Sequence, residues 1–285
     1  MIPIHADASC TKNTIDKILQ GRKDVLLVTS IFYTLQGEGP YTGKPAVFVR
    51  LAGCNYGSKT KVCTMCDTSF ELRNAKHMTF DEILKEIDYY FDKYSPKEPL
   101  LVVTGGEPGI QHNLIEFLVK YHSSYNDQHW SQIETNGSQK EFFKKVLNNS
   151  YLRGYRENSV AYDPYCIFVC SPKASEVTRK YMPLSQECLD CCDHFKFLLS
   201  ANPRSPYYTI PSSIVNKLKN KDIYVSPITV YKKQYDGEVS SIWDTELVDV
   251  EKTRANYAYA AKYVMESAGI IDKLSLQTHL FTAIP

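Results

Sequence analysis

No stretch of this 285-residue chain stays apolar for long. Its longest purely aliphatic runs, Val25–Val28 and Leu100–Val103, hold four residues, against the roughly 20 that a membrane-spanning helix needs. The N-terminal residues MIPIHADASC have no apolar core of a secretory signal. Charge of one sign is equally scarce. The 33 Lys and Arg stand against 32 Asp and Glu, a formal net charge of +1, which gives no general case for binding nucleic acid or a membrane surface. Internal repeats and low-complexity tracts are lacking. With 43% apolar and 23% charged residues, the expectation is a soluble cytoplasmic protein with a substantial core.

Cysteine, by contrast, is plentiful. Nine cysteines, an odd number in a chain expected to be cytosolic, speak against a disulfide framework. A single buried thiol behaves as a small hydrophobe, but these cysteines form two clusters.

Short apolar runs alternate with helical patterns, the mark of α/β organisation. Val25–Thr34 and Ala46–Ala52 read as strands. Thr79-Phe80-Asp81-Glu82 is a capping box, and Phe80, Ile83, Leu84, Ile87, Phe91 and Tyr94 then share one helical face that should end before Pro96. Leu100–Val103 is apolar without alternation, as suits a parallel strand covered on both sides. A helix near Gln111–Tyr121 follows. Gln132–Thr135, Ile167–Cys170, Phe195–Leu199 and Ile223–Val225 repeat the strand pattern, with a helix near Glu141–Leu147. A helix over Val250–Ser267 and a strand over Lys273–Gln277 close the chain. The expected fold is one α/β domain over residues 1–285, an incomplete TIM-like barrel of mostly parallel strands with outer helices. Residues 1–24 read as an extension, and the polar stretches near 148–164 and 231–249 as insertions. In such folds the loops after the strand C-termini build the site.

The sharpest signal lies on one such loop: Cys54-x8-Cys63-x2-Cys66, followed by Asp67-Thr68. Three readings stand beside one another. The thiols are plain loop cysteines; or they bind zinc, with His77 as a fourth ligand; or they hold three irons of a [4Fe–4S] cluster and leave the fourth open. The second cluster, Cys188-x2-Cys191-Cys192, has two readings: an auxiliary iron–sulfur or zinc site, or plain core cysteine, which is preferred because the cluster lacks a partner motif.

The triplet together with Gly105-Gly106-Glu107 at the end of the next parallel strand resembles the radical S-adenosylmethionine (SAM) superfamily, although the first gap is longer than its common Cys-x3-Cys-x2-Cys. Further blocks resemble the 7-carboxy-7-deazaguanine synthase family, in which expanded first gaps occur. They are Phe32–Gly39 (FYTLQGEG), Gly43–Ala46, Phe48–Asn55, Cys66–Thr68, Thr104–Pro108, Glu134–Gly137, Ser171–Lys173 and the terminal Leu276–His279 and Ile284–Pro285.

The resemblance implies a lyase that converts 6-carboxy-5,6,7,8-tetrahydropterin to 7-carboxy-7-deazaguanine with loss of ammonia, in 7-deazapurine (queuosine-type) biosynthesis. It implies a [4Fe–4S] cluster on Cys54, Cys63 and Cys66, SAM at the open iron, and Mg²⁺ on the Thr68 hydroxyl. SAM contacts would come from Met65, Asp67, Gly105, Gly106, Glu107, Glu134, Asn136, Ser171, Pro172, Lys173, Ser226 and Pro227. Pterin contacts would come from Leu35, Gln36, Gly37, Glu38, Arg50, Thr104, His279 and the Pro285 carboxylate. A flavodoxin-type electron donor and a homodimer are the implied partners, with no membrane or direct nucleic-acid binding. Two rivals remain: another radical SAM enzyme such as a glycyl-radical activase, which would not need QGEG or Thr68, and a non-catalytic zinc module.

Overall fold

The structure is a computed structural model. It describes residues 12–57, 62–63, 66, 70–126, 128–153, 166–218, 220–232, 241, 243–267 and 269–282. Among the described residues nine strands form one sheet: β1 (Val25–Leu35), β2 (Pro45–Leu51), β3 (Lys76–Thr79), β4 (Leu100–Gly105), β5 (Trp130–Thr135), β6 (Cys166–Cys170), β7 (His194–Leu199), β8 (Asp222–Pro227) and β9 (Lys273–Leu274). Their order is β3-β1-β2-β4-β5-β6-β7-β8-β9. β1 runs antiparallel to both β2 and β3; from β2 onward every neighbour is parallel. The sheet stays unclosed, with β3 and β9 at its edges, as an incomplete barrel requires.

The helices are α1 (Lys12–Leu19), α2 (Phe80–Tyr94), α3 (Leu114–Ser124), α4 (Lys140–Leu147), α5 (Ser150–Arg153), α6 (Gln186–Cys191), α7 (Ser212–Val215), α8 (Val250–Met265) and α9 (Thr278–Thr282). None among the described residues is long and apolar enough to cross a membrane.

Local chemistry explains the best-defined elements. The Thr79 N–H donates to Glu82 Oε2 at 2.7 Å and the Glu82 N–H to Thr79 Oγ1 at 3.3 Å, which starts α2. Phe80, Ile83, Leu84, Ile87 and Phe91 are buried, and Ser95 ends the helix in the left-handed region. Tyr94 departs from expectation: it is half exposed and stacks on Tyr33, ring centroids 4.3 Å apart. The first four residues of β4 and all of β6 are buried, as strands covered on both faces should be.

Two boundaries depart by three residues from the sequence reading, and strand β3 has no counterpart in it. α3 begins at Leu114 because Gln111 is a buried backbone clamp. Its amide donates to the carbonyls of Leu27 and Ala52 at 2.9 Å each and accepts the Leu27 N–H at 2.9 Å. β9 stops at Leu274 because the next residues turn to the site: Ser275 Oγ accepts the Gly39 N–H at 3.0 Å. Edge strand β3 carries no apolar alternation and is defined by pairing with Val25–Val28.

Candidate active site

The backbone that carries Cys54 is docked from several sides. The Gly53 N–H donates to Phe70 O at 2.7 Å, and the Ala52 N–H to Leu27 O at 2.8 Å. At the end of β4, the N–H groups of Gly106 and Glu107 donate to Leu51 O and Gly53 O at 3.1 and 2.9 Å. This approach requires glycine. A Cβ on Gly105, whose φ is +122°, would lie 2.1 Å from Leu51 O, and one on Gly106 would lie 1.9 Å from Gly53 O. The pair makes room first for the loop that holds Cys54.

The long first gap has a structural reason. Gly57 and Val62 form an isolated antiparallel bridge, their N–H groups donating to each other's carbonyls at 3.0 and 3.3 Å. The bridge ties together the two ends of residues 58–61, so the effective path from Cys54 to Cys63 is much shorter than the sequence count. Cys63 itself has φ +55°, a left-handed conformation that strains a non-glycine residue and often marks a functional position.

Cys54, Cys63 and Cys66 border a cleft that is also lined by Thr104, Gly105, Gly106, Glu134, Asn136, Ser171, Lys173 and Pro227. These lie in the last residues of β4, β5 and β8 or in the loops that follow β2, β4, β5 and β6, at the C-terminal ends of the parallel strands. Tyr56, Val62 and Phe70 pack about the thiols.

The same cleft is lined by a charge cluster that the sequence reading only half found. Lys196 Nζ is 2.5 Å from Glu38 Oε2 and 3.3 Å from Glu134 Oε2. The other oxygen of Glu38 accepts from Ser226 Oγ at 2.9 Å. Gln36 Nε2 donates to Glu134 Oε1 at 3.3 Å, and Gln132 donates to the same oxygen. Burial opposes the charge of Lys196, but Glu134 and Glu38 together outweigh it and raise its pKa. Lys196, Leu198 and Gln277 join the cleft wall without having been singled out. The available signal for Lys196 was a cation inside the apolar run His194–Leu199.

Glu107 is fully buried and not among the residues that line the cleft. Its carboxylate accepts from the Gly109 N–H at 3.0 Å, the Thr135 hydroxyl at 2.7 Å and the Asn136 N–H at 2.6 Å. Burial pushes its pKa up to about 7 against these hydrogen bonds. Asn136 in turn donates to Asn55 Oδ1 at 3.1 Å, which links β5 to the cysteine loop. Lys173 Nζ donates to Ser171 Oγ at 2.8 Å, and Pro172 between them is buried.

Other expected residues lie outside the lining of this cleft or outside the described residues. Arg50 is not part of the cleft wall; its guanidinium lies 5.0 Å above the Phe32 ring. Leu35 ends β1, and Gly37 O accepts the Thr278 N–H at 3.2 Å, docking α9 on the QGEG turn. His279 lies in α9. His77, the candidate zinc ligand, contacts Arg22 on edge strand β3 and does not line the cleft. Met65, Asp67, Thr68 and Pro285 lie outside the described residues.

The radical SAM superfamily profile matches residues 49–153, the segment from β2 to α5. A 7-carboxy-7-deazaguanine synthase from Rickettsia prowazekii is 30% identical over 270 residues, which cover 94% of this chain and 92% of the relative. The chain belongs to the 7-carboxy-7-deazaguanine synthase family. The Haemophilus influenzae member is 26% identical over 257 residues, 90% of this chain and 93% of that one. The Rhodospirillum rubrum member is 32% identical over 194 residues, 67% and 66% of the two chains. The crystal structure of QueE from Escherichia coli aligns with a TM-score of 0.52 at 19% identity, covering 92% of this chain and 97% of that one, a likeness of fold. Membership in this radical SAM family brings a [4Fe–4S] cluster and SAM as cofactors. The donor set fits them: three thiols on one apolar wall, with backbone and polar side chains of the β4, β5 and β6 loops beside them.

Proposed function

We infer that this chain is one catalytic domain that converts 6-carboxy-5,6,7,8-tetrahydropterin to 7-carboxy-7-deazaguanine with loss of ammonia. The observation that carries the reading is a family match over 94% of the chain joined to a cleft that pairs three cysteines with a buried Glu38–Lys196–Glu134 cluster. Cys54, Cys63 and Cys66 would hold the [4Fe–4S] cluster, and the backbone at Gly105–Gly106 with Asn136, Ser171 and Lys173 would seat SAM. When bound, these cofactors supply radical hydrogen abstraction.

The remaining work belongs to the protein. Lys196 keeps Glu38 and Glu134 oriented as acceptors for the N–H edge of a pterin ring. Gln36 and Gln132 hold Glu134 in place. Tyr56, Phe70, Leu198 and Ile228 line the cleft with apolar surface and limit water there. Thr68 supplies a hydroxyl to Mg²⁺, which prefers oxygen ligands and retains waters. Glu107 positions rather than reacts, by fixing the Thr135–Asn136 backbone. A homodimer, a flavodoxin-type donor and a cytoplasmic setting complete the reading.

The deciding experiment is anaerobic reconstitution with iron, sulfide, SAM, reductant, Mg²⁺ and the carboxypterin, followed by mass analysis of the product. A fully loaded enzyme that cleaves SAM yet leaves the pterin unchanged would point to a different radical SAM substrate.

A further inference from the structure

Cys170 ends β6, Cys188 lies in α6, and Cys192 caps that helix. Their sulfur atoms all lie within 4.8 Å of one another, and each residue is fully buried. Cys188 Sγ is 3.9 Å from Cys170 Sγ and 3.8 Å from Cys192 Sγ. An ion with metal–sulfur bonds of about 2.3 Å holds its thiolates about 3.8 Å apart at tetrahedral angles, and about 4.0 Å apart in a trigonal plane. One ion therefore accounts for both separations. The spacing does not suit an iron–sulfur cluster, in which each cysteine binds its own iron.

The partner that the Cys188-x2-Cys191-Cys192 motif lacks is supplied from another strand. Cys188 and Cys192 share a face at i,i+4 spacing, and Cys191 is left out of the group. Lys221 Nζ donates to Cys192 O at 2.7 Å, so a cation stands beside a group that would carry excess negative charge when metallated.

The position is informative. A Cβ on Gly137, whose φ is +80°, would lie 2.6 Å from Cys170 Sγ and 3.1 Å from Cys188 Sγ. Cys170 directly precedes Ser171. The three sulfurs thus sit behind both the Asn136–Gly137 and the Ser171–Lys173 turns of the cleft.

We propose that Cys170, Cys188 and Cys192 form a second metal site, separate from the Cys54/Cys63/Cys66 triplet, which takes one soft closed-shell ion and braces these two turns. Thiolate donors select ions of the zinc(II) and copper(I) kind. No fourth His, Cys, Asp or Glu ligand joins the three among the described residues, which favours a three-coordinate ion.

The test begins with the intact chain, its catalytic iron cluster reconstituted anaerobically so that the triplet is filled. Zinc(II), copper(I) and cobalt(II) are then titrated separately, and metal is counted by mass spectrometry after desalting. We expect one retained equivalent beyond the iron, with a thiolate-to-metal charge-transfer band in the cobalt form. Cys170→Ser and Cys188→Ser should lose the equivalent and the band, whereas Cys191→Ser keeps both. Retention of zinc or of copper identifies the ion. A Cys54→Ala/Cys63→Ala/Cys66→Ala chain should still bind the equivalent, and circular dichroism reports whether each variant is folded. Should any variant fail to fold, alkylation mapping of the intact chain in sub-denaturing urea, with and without the ion, decides: the metal must slow the reaction of Cys170, Cys188 and Cys192 together and leave that of Cys191 unchanged. Absence of a stoichiometric ion from the folded intact chain, or binding that survives Cys188→Ser, would overturn the proposal.

Discussion

Lys196 Nζ and Glu38 Oε2 stand 2.5 Å apart across 158 positions of sequence, joining the middle of β7 to the turn after β1. Glu134 makes the same lysine its second partner at 3.3 Å. Desolvating three charges is expensive, and such a cluster is weak as a source of stability; its place in a cleft wall gives it a functional rationale. Lys196→Met should leave two carboxylates without their cation. We expect a loss of about 3–5 kcal/mol, the usual cost of breaking a buried pair, measured by urea unfolding, together with weakened pterin affinity. The pair should persist at alkaline pH, because the raised pKa of Lys196 preserves its contribution below the unfolded value near 10.5 and surrenders it only above. A folded Lys196→Met protein that binds pterin as the parent does would remove the cluster from substrate recognition.

Features set by neighbours in sequence were legible before the structure. Thr79 and Glu82 cap α2 through contacts three residues apart, and the buried face from Phe80 to Phe91 follows from helical spacing. The apolar run before Gly105 marked a covered parallel strand. Lys196 was not legible as a site residue, because its partners lie 158 and 62 positions away. Cys170 and Cys188 likewise meet only when α6 folds back on β6. The loop motifs were visible as residue types, but Glu107 shows the limit of that view: the strand register turns its carboxylate into the protein, where it ties backbone.

Glu107 also makes folding sensitive to pH. Its pKa rises from 4.5 to about 7 on folding, chiefly by burial. Between these values the folded chain holds a proton that the unfolded chain has released. Stability should therefore fall as pH rises from about 4.5 to about 7, by roughly 3 kcal/mol at about 1.4 kcal/mol per unit. Glu107→Gln cannot ionise, and its unfolding free energy should lose that slope. Urea titrations at pH 5 and pH 7.5 supply the comparison, and equal slopes in both proteins would assign the pH effect to other groups.

Gly106→Ala should act on the cysteine loop before it acts on SAM. The added Cβ would meet Gly53 O at 1.9 Å, a backbone atom that cannot swing away. The loop must shift, and Cys54 with it. We expect lower iron retention after reconstitution even without SAM, with the far-ultraviolet dichroism largely preserved. Full iron loading with impaired SAM binding alone would instead make Gly106 a direct cofactor contact.

The Gly57–Val62 bridge yields a prediction about the length of the first cysteine gap. Because these residues already exchange hydrogen bonds at 3.0 and 3.3 Å, the four residues between them are spanned by a closed pair. Cys63 follows Val62 directly, so its position depends on the bridge rather than on the span. Asn-Gly is a favoured two-residue connection for an antiparallel pair. Replacing residues 58–61 by Asn-Gly should therefore retain iron binding close to that of the parent. Breaking the bridge by Val62→Pro, which removes the N–H donated to Gly57 O, should reduce it sharply. Iron and sulfide counts with the visible absorption of the reconstituted cluster provide the readout for both. If the shortened loop loses its cluster while Val62→Pro keeps it, the span itself, not the bridge, sets the geometry of Cys54 and Cys63.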